Sequence, residues 1–102
     1  MSPSSEGFSS GSAELIVTLP ADLHARPAGR LARAAAGFRS AVTISAGERA
    51  VDARSVLMVM SLGATRGTEV MIRAEGEDAV AAVAALGEIL ADTTEARAAA
   101  TP

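Results

Sequence analysis

The 102-residue sequence contains no cysteine and one histidine. The absence of thiols excludes disulfides and cysteine-ligated metal sites, and a single histidine excludes a multi-histidine metal centre. Tyrosine and tryptophan are absent and only two phenylalanines occur, so the core has to be built from Ala, Val, Leu, Ile and Met. Lysine is also absent, and every basic side chain is therefore an arginine with a planar guanidinium.

Long apolar runs are missing as well. No segment approaches the roughly 20 apolar residues that a membrane-spanning helix needs, which predicts no membrane insertion. The Ser- and Gly-rich start lacks the basic and apolar regions of a secretory signal, so we expect a cytoplasmic protein. The net charge of -3 argues against nucleic-acid binding, which depends on neutralising many phosphates.

The length fits one domain. Residues 1–12 are rich in Ser and Gly, and their composition predicts a disordered N-terminal leader. A folded domain is expected at 13–93, followed by a frayed Ala-rich tail at 94–102.

The hydrophobic periodicity of residues 13–93 predicts seven elements in the order βαββαβα. The short links between them indicate an α+β fold, with a four-stranded antiparallel sheet covered on one face by three helices. On the last helix, a stripe of Val80, Val83, Leu86 and Leu90 is expected to face the core. The strands are predicted at 13–19, 41–45, 49–51 and 69–74, and the helices at 26–38, 55–62 and 77–91.

The single histidine, His24, lies where a loop meets the start of the first predicted helix. Unbonded backbone N–H groups and the positive end of the helix dipole make such a junction an anion-binding place. Arg26 follows two residues later, and its guanidinium can present paired donors to phosphate oxygens. A neutral imidazole is also a competent nucleophile near pH 7. The residues alone therefore predict an anion site with a reactive nitrogen, although a helix-capping or surface histidine is the simpler alternative.

Two separated blocks resemble one known family. Leu23-His24-Ala25-Arg26-Pro27-Ala28 resembles the active-site signature of HPr, the histidine-containing phosphocarrier of the phosphoenolpyruvate-dependent sugar phosphotransferase system. The segment from Arg54 to Gly63 resembles that family's regulatory serine and the helix after it. The resemblance extends over about residues 14 to 91, and the predicted element order is that of the family's open-faced β-sandwich.

The resemblance implies a phosphoryl relay rather than a turnover enzyme. His24 would accept a phosphoryl group on Nδ1 from enzyme I, which takes it from phosphoenolpyruvate, and would pass it to a sugar-specific enzyme IIA. Arg26 would steady the phosphate, together with the backbone amides of Ala25 and Arg26. The resemblance implies no cofactor, and we expect a monomer.

The second block carries the expectations about regulation and docking. Ser55 matches the serine that an HPr kinase/phosphorylase modifies in many relatives, although an N-cap role is the simpler alternative. Val56, Leu57 and Met60 would form an apolar docking surface for both partners, with Leu57 and Met60 partly exposed and Val59 and Leu62 in the core. Arg33 is a candidate contact for acidic partner residues.

One departure from the family pattern lies beside the histidine. Asp22 stands where the family commonly has Gly, and its carboxylate would repel an incoming phosphate. Two alternatives to a sugar-branch carrier remain open from sequence: a specialised regulatory or nitrogen-branch paralogue, and a non-catalytic α+β interaction domain in which His24 only caps a helix.

Overall fold

Strands and helices follow one another along the chain in the predicted order βαββαβα. The computed structural model describes residues 11–91. Most of the predicted leader and the whole predicted tail at 94–102 lie outside this range. The elements are β1 at Ser12–Thr18, α1 at Ala25–Ala36, β2 at Ala41–Ala46, β3 at Arg49–Asp52, α2 at Val56–Ser61, β4 at Glu69–Glu75 and α3 at Ala79–Ala91.

The four strands form one antiparallel sheet in the order β1-β4-β2-β3. The centre of the sheet aligns Leu15, Ile72 and Ile44 across three strands. β2 and β3 are joined by a two-residue turn in which Gly47 has a φ of 62°. Glycine at the first turn position is the pattern of a type II′ hairpin, whose twist suits the flanking strands.

All three helices lie on one face of the sheet, which confirms the predicted α+β open-faced sandwich. α3 packs against β1 and β4, and α1 packs against both α2 and α3. The layer between sheet and helices is made almost entirely of aliphatic side chains, as the shortage of aromatics requires. Its largest fully buried members are Leu19, Leu31, Ile44, Ile72, Leu86, Leu90, Val42, Val59 and Val70.

Most element boundaries differ by one or two residues from the predicted ones, and the core prediction for Val80 is wrong. β1 begins at Ser12, which pairs with Glu75, one residue before the predicted start of this strand. Helix α1 ends at Ala36 rather than at residue 38, because the Gly37 amide turns back to the Ala34 carbonyl. Val80 was expected in the core yet is 66% exposed. The buried stripe of α3 starts instead at Ala79, from which Val83, Leu86 and Leu90 follow at helical spacing.

A carboxylate fixes α3 to the turn before β2. Asp78 accepts hydrogen bonds from the backbone amides of Arg39 and Ser40, both at 2.9 Å, and from the Ser40 hydroxyl at 2.5 Å. Ser40 is buried, at 1% exposure, so its hydroxyl needs this acceptor. The Ser40 hydroxyl, followed by the Arg39 amide, lowers the pKa of the Asp78 carboxyl below the ordinary 3.8.

Gly76 makes this contact possible. Its φ of +147° is a conformation that L-residues with a side chain rarely adopt. A Cβ at this position would lie 2.7 Å from the Ser40 Cα and 2.7 Å from its Oγ. The backbone at residue 76 must therefore pass directly beside Ser40, which only glycine permits.

Replacing Gly76 with Ala should lower the free energy of unfolding by about 2 kcal/mol or more, from backbone strain and overlap with Ser40. Gly29→Ala is the matched control, because a Cβ there meets nothing within 4 Å. Inside helix α1 that change should stabilise the protein by about 0.5–1 kcal/mol. Urea unfolding of both variants tests this, and equal stabilities would contradict the assigned role of Gly76.

The lowered pKa of Asp78 predicts an acid-sensitive contribution to stability. A carboxylate favoured in the folded state stabilises the protein above the ordinary pKa of 3.8, and that contribution disappears as the pH falls through the lowered value. Ser40→Ala removes the largest cause, so the folded Asp78 carboxyl should titrate at higher pH in the variant and its acid-sensitive contribution to stability should be smaller. Carbon NMR titration of the Asp78 carboxyl, with unfolding curves across the same pH range, measures the shift. Identical titrations in the two proteins would refute it.

Candidate functional site

The site begins with two loops that are bonded to each other. The amide of Leu19 donates to the Thr68 carbonyl, the amide of Gly67 donates to the Leu19 carbonyl, and the amide of Leu23 donates to the Ala64 carbonyl. Leu19 and Leu23 are both buried and anchor their loop in the core. The backbone that leads into His24 is therefore held from two directions.

His24 is the N-cap residue of α1, with extended backbone dihedrals (φ -86°, ψ -172°). Its carbonyl accepts the first helical hydrogen bond, from the Ala28 amide. Its imidazole makes no capping hydrogen bond and the side chain is 78% exposed. The imidazole is therefore exposed to solvent at the start of α1 and does not cap the helix.

The Asp22 carboxylate lies between His24 and the neighbouring loop. Its Oδ1 accepts a hydrogen bond of 2.8 Å from the Arg66 amide. Its Oδ2 lies 3.6 Å from His24 Nε2. The His24 amide also donates to the Asp22 carbonyl, at 3.1 Å. Asp22 thus connects the histidine, through side chain and backbone, to the 64–68 loop.

The candidate phosphate-binding groups surround the start of α1. Ala25 and Arg26 are exposed in its first turn, where backbone N–H groups have no intrahelical acceptor. Pro27 follows and has no N–H to leave unpaired. Arg33 is also exposed but lies in the last turn, about 12 Å along the axis from Ala25 at 1.5 Å per residue. The structure therefore groups Ala25 and Arg26 with His24 and places Arg33 apart from them.

Helix α2, against which α1 packs, is fixed at both ends. Ser55 is its N-cap, and the Ser55 hydroxyl accepts a hydrogen bond of 3.2 Å from the Met58 amide. At the other end Arg49 of β3 donates to the Ser61 carbonyl at 2.8 Å and to the Ser61 hydroxyl at 3.1 Å. A six-residue helix is too short to be stable by itself, so these contacts support its position.

An apolar patch covers the outer side of α2, and we call its four members the α2 patch: Val56, Leu57, Met58 and Met60. They are 36%, 77%, 43% and 38% exposed, whereas Val59 is fully buried and Leu62 is half-buried. Adjacent exposed apolar side chains of this kind are typical of a protein interaction surface. Met58 was not among the expected docking residues but is exposed on the same side of the helix.

Comparison with known families matches residues 12–92 to the model described as "PTS HPr component phosphorylation site". The chain belongs to the HPr family. It is 41% identical over 78 residues to the phosphocarrier protein HPr of Mycoplasma capricolum subsp. capricolum, covering 76% of this chain and 88% of that protein. It is 42% identical over 76 residues to the HPr of Xylella fastidiosa strain 9a5c, covering 74% and 85%. The crystal structure of HPr from Bacillus anthracis str. Ames superposes with a TM-score of 0.73 at 30% identity, covering 78% and 96%.

Residues 11–91 contain neither a candidate metal site nor a candidate membrane-spanning helix. Within that range, no group of three or more His, Cys, Asp or Glu side chains is arranged to hold a metal ion. None of the helices in the same range is long and apolar enough to cross a bilayer.

Sequence reasoning missed two contacts of this site. Asp22 was noted only as a departure from the HPr pattern, and its bond to the Arg66 amide spans 44 positions. Arg49 was treated as an ordinary strand residue, yet it caps the end of α2. No local motif reports either contact, because each depends on how separate parts of the chain pack together.

Proposed function

We propose that this HPr-family chain is a phosphocarrier of the phosphotransferase system. It accepts a phosphoryl group from enzyme I, derived from phosphoenolpyruvate, on Nδ1 of His24 and passes it to sugar-specific enzyme IIA domains. The observation that carries the proposal is the exposed imidazole at the start of α1, which makes no capping hydrogen bond. A histidine whose role was structural would be expected to form a hydrogen bond from its imidazole to the helix cap.

The chemistry at this position is a direct transfer. The Nδ1 lone pair attacks phosphorus, an N–P bond forms, and the bond to the donor's nitrogen breaks with its electron pair returning to the donor. The phosphoryl oxygens then lie near the first-turn amides of Ala25 and Arg26, where the helix dipole favours negative charge. The Arg26 guanidinium adds charge-assisted donors as the group moves between partners.

The α2 patch is the proposed docking surface for both partners. It lies on the helix that packs against α1, and a carrier must present its histidine and its docking surface together. Two of its four side chains are methionines, whose flexible thioethers can adapt to more than one partner surface. Arg33, farther along α1, would meet acidic residues at the edge of the contact.

Ser55 is proposed as a regulatory phosphorylation site for an HPr kinase/phosphorylase. Its hydroxyl already caps α2, so a phosphate there would add negative charge at the helix start and keep an acceptor for the Met58 amide. The added charge would also border the α2 patch, where an apolar partner surface has to approach.

The remaining expectations follow from this role. A carrier shuttling between cytoplasmic enzymes is proposed to act in the cytoplasm as a monomer, so that one face is open to successive partners. Phosphoryl transfer between histidines requires no metal or organic cofactor on the carrier.

Incubation with phosphoenolpyruvate and enzyme I should add one acid-labile phosphoryl group, detected by intact mass. His24→Ala should abolish the gain. Arg26→Ala should slow it by about tenfold or more while leaving the fold intact, because the side chain is exposed and acts on the phosphate. Labelling that survives His24→Ala would refute the assignment of the acceptor.

Leu57→Asp should weaken binding to enzyme I and to enzyme IIA by about tenfold or more, because a charge would be buried in the contact. Val80→Asp is the matched control: Val80 is 66% exposed, against 77% for Leu57, but lies on α3. Titration calorimetry of both variants measures the affinities. If the two variants lose affinity equally, or if neither loses affinity, the docking surface lies elsewhere.

A further inference from the structure

One side chain of the site has no part in the transfer described above, although it lies against the reacting ring. The Oδ2 atom of Asp22 is 3.6 Å from His24 Nε2, while its Oδ1 is engaged by the Arg66 amide at 2.8 Å. Because that second bond fixes the carboxylate, Oδ2 faces the imidazole as part of a loop-to-loop connection. The position of the Asp22 carboxylate beside the ring is therefore set by its hydrogen bond to the Arg66 amide.

The two oxygens of a carboxylate can only accept hydrogen bonds, and a neutral imidazole has one N–H and one lone pair. An acceptor opposite Nε2 therefore favours the tautomer with the proton on Nε2. The separation of 3.6 Å is longer than a hydrogen bond, but such contacts often shorten only when the reaction partner is bound.

We propose that Asp22 is a positioning residue of the phosphorylation site, whose carboxylate keeps the imidazole proton on Nε2 and so leaves the lone pair on Nδ1. This inference rests on the proposed function, in which Nδ1 is the phosphoryl acceptor. During transfer the N–P bond forms at Nδ1, the donor's P–N bond breaks, and the Nε2 proton stays in place. The ring then carries positive charge, which the carboxylate stabilises.

The same geometry limits the repulsion of an incoming phosphate that is expected from Asp22. Its charge contacts the ring at Nε2, the nitrogen that is not phosphorylated. The side chains of Asp22 and His24 are 45% and 78% exposed, so water screens the repulsion felt by the incoming group. Exposure also limits the benefit, and we expect effects of about tenfold rather than those of buried catalytic triads.

Asp22→Asn tests this directly. Of the two polar atoms of the asparagine amide, only the oxygen can accept the hydrogen bond from the Arg66 N–H, which fixes the orientation of the side chain. The amide NH2 would then face Nε2 as a donor and would favour the tautomer with the proton on Nδ1. The loop connection is kept while the tautomer preference is reversed. Asp52→Asn is the matched control, since Asp52 also accepts a backbone N–H, from Arg54 at 2.9 Å, and carries the same charge.

The experiment reads nitrogen-15 shifts of the single histidine at about pH 9, where histidines are neutral. The wild type and the Asp52→Asn variant should show mainly the Nε2–H tautomer. The Asp22→Asn variant should show a larger share of the Nδ1–H tautomer, and its phosphorylation should be slowed about tenfold or more. Identical spectra in all three proteins would overturn the proposal, as would a changed tautomer with an unchanged rate. A wild-type chain that is never phosphorylated would refute the carrier function instead, independently of the tautomer result.

Discussion

The position of His24 depends on the bonding between the 19–23 and 64–68 loops. Three backbone hydrogen bonds and the Asp22 carboxylate join them, and Leu19 and Leu23 anchor the first loop beneath. An imidazole that is 78% exposed has few contacts of its own to hold it, so its geometry has to come from the chain on either side. On one side lies this pair of loops, and on the other the first turn of α1.

A carrier has to combine a fixed reactive group with a surface that accepts different partners. In this chain the reactive group lies on a stiff loop-to-helix junction, and the α2 patch lies on a six-residue helix held by Ser55 and Arg49. The core behind both is aliphatic, with Val59 inserted from α2. The proposed docking surface is thereby distinct from Val59, the side chain by which α2 joins the core.

Much of this was predictable from the sequence, for identifiable reasons. Alternating apolar residues gave the strands, and Pro27 and Ser55 marked two helix starts because their chemistry acts locally. Val80 was misassigned because it lies three positions before Val83, but Ala79 is closer to the centre of the face formed by Val83, Leu86 and Leu90. The contacts of Asp22, Arg49 and Asp78 were not predictable, since each joins residues from different loops or elements.

Nδ1 of His24 is the proposed acceptor of the phosphoryl group. The most direct measurement is phosphorus–nitrogen NMR on nitrogen-15-labelled protein phosphorylated with phosphoenolpyruvate and enzyme I, with one histidine giving an unambiguous assignment. We expect one phosphorus resonance with a one-bond coupling to His24 Nδ1. Coupling to Nε2, or a phosphorus signal from a hydroxyl group with none from the imidazole, would contradict it.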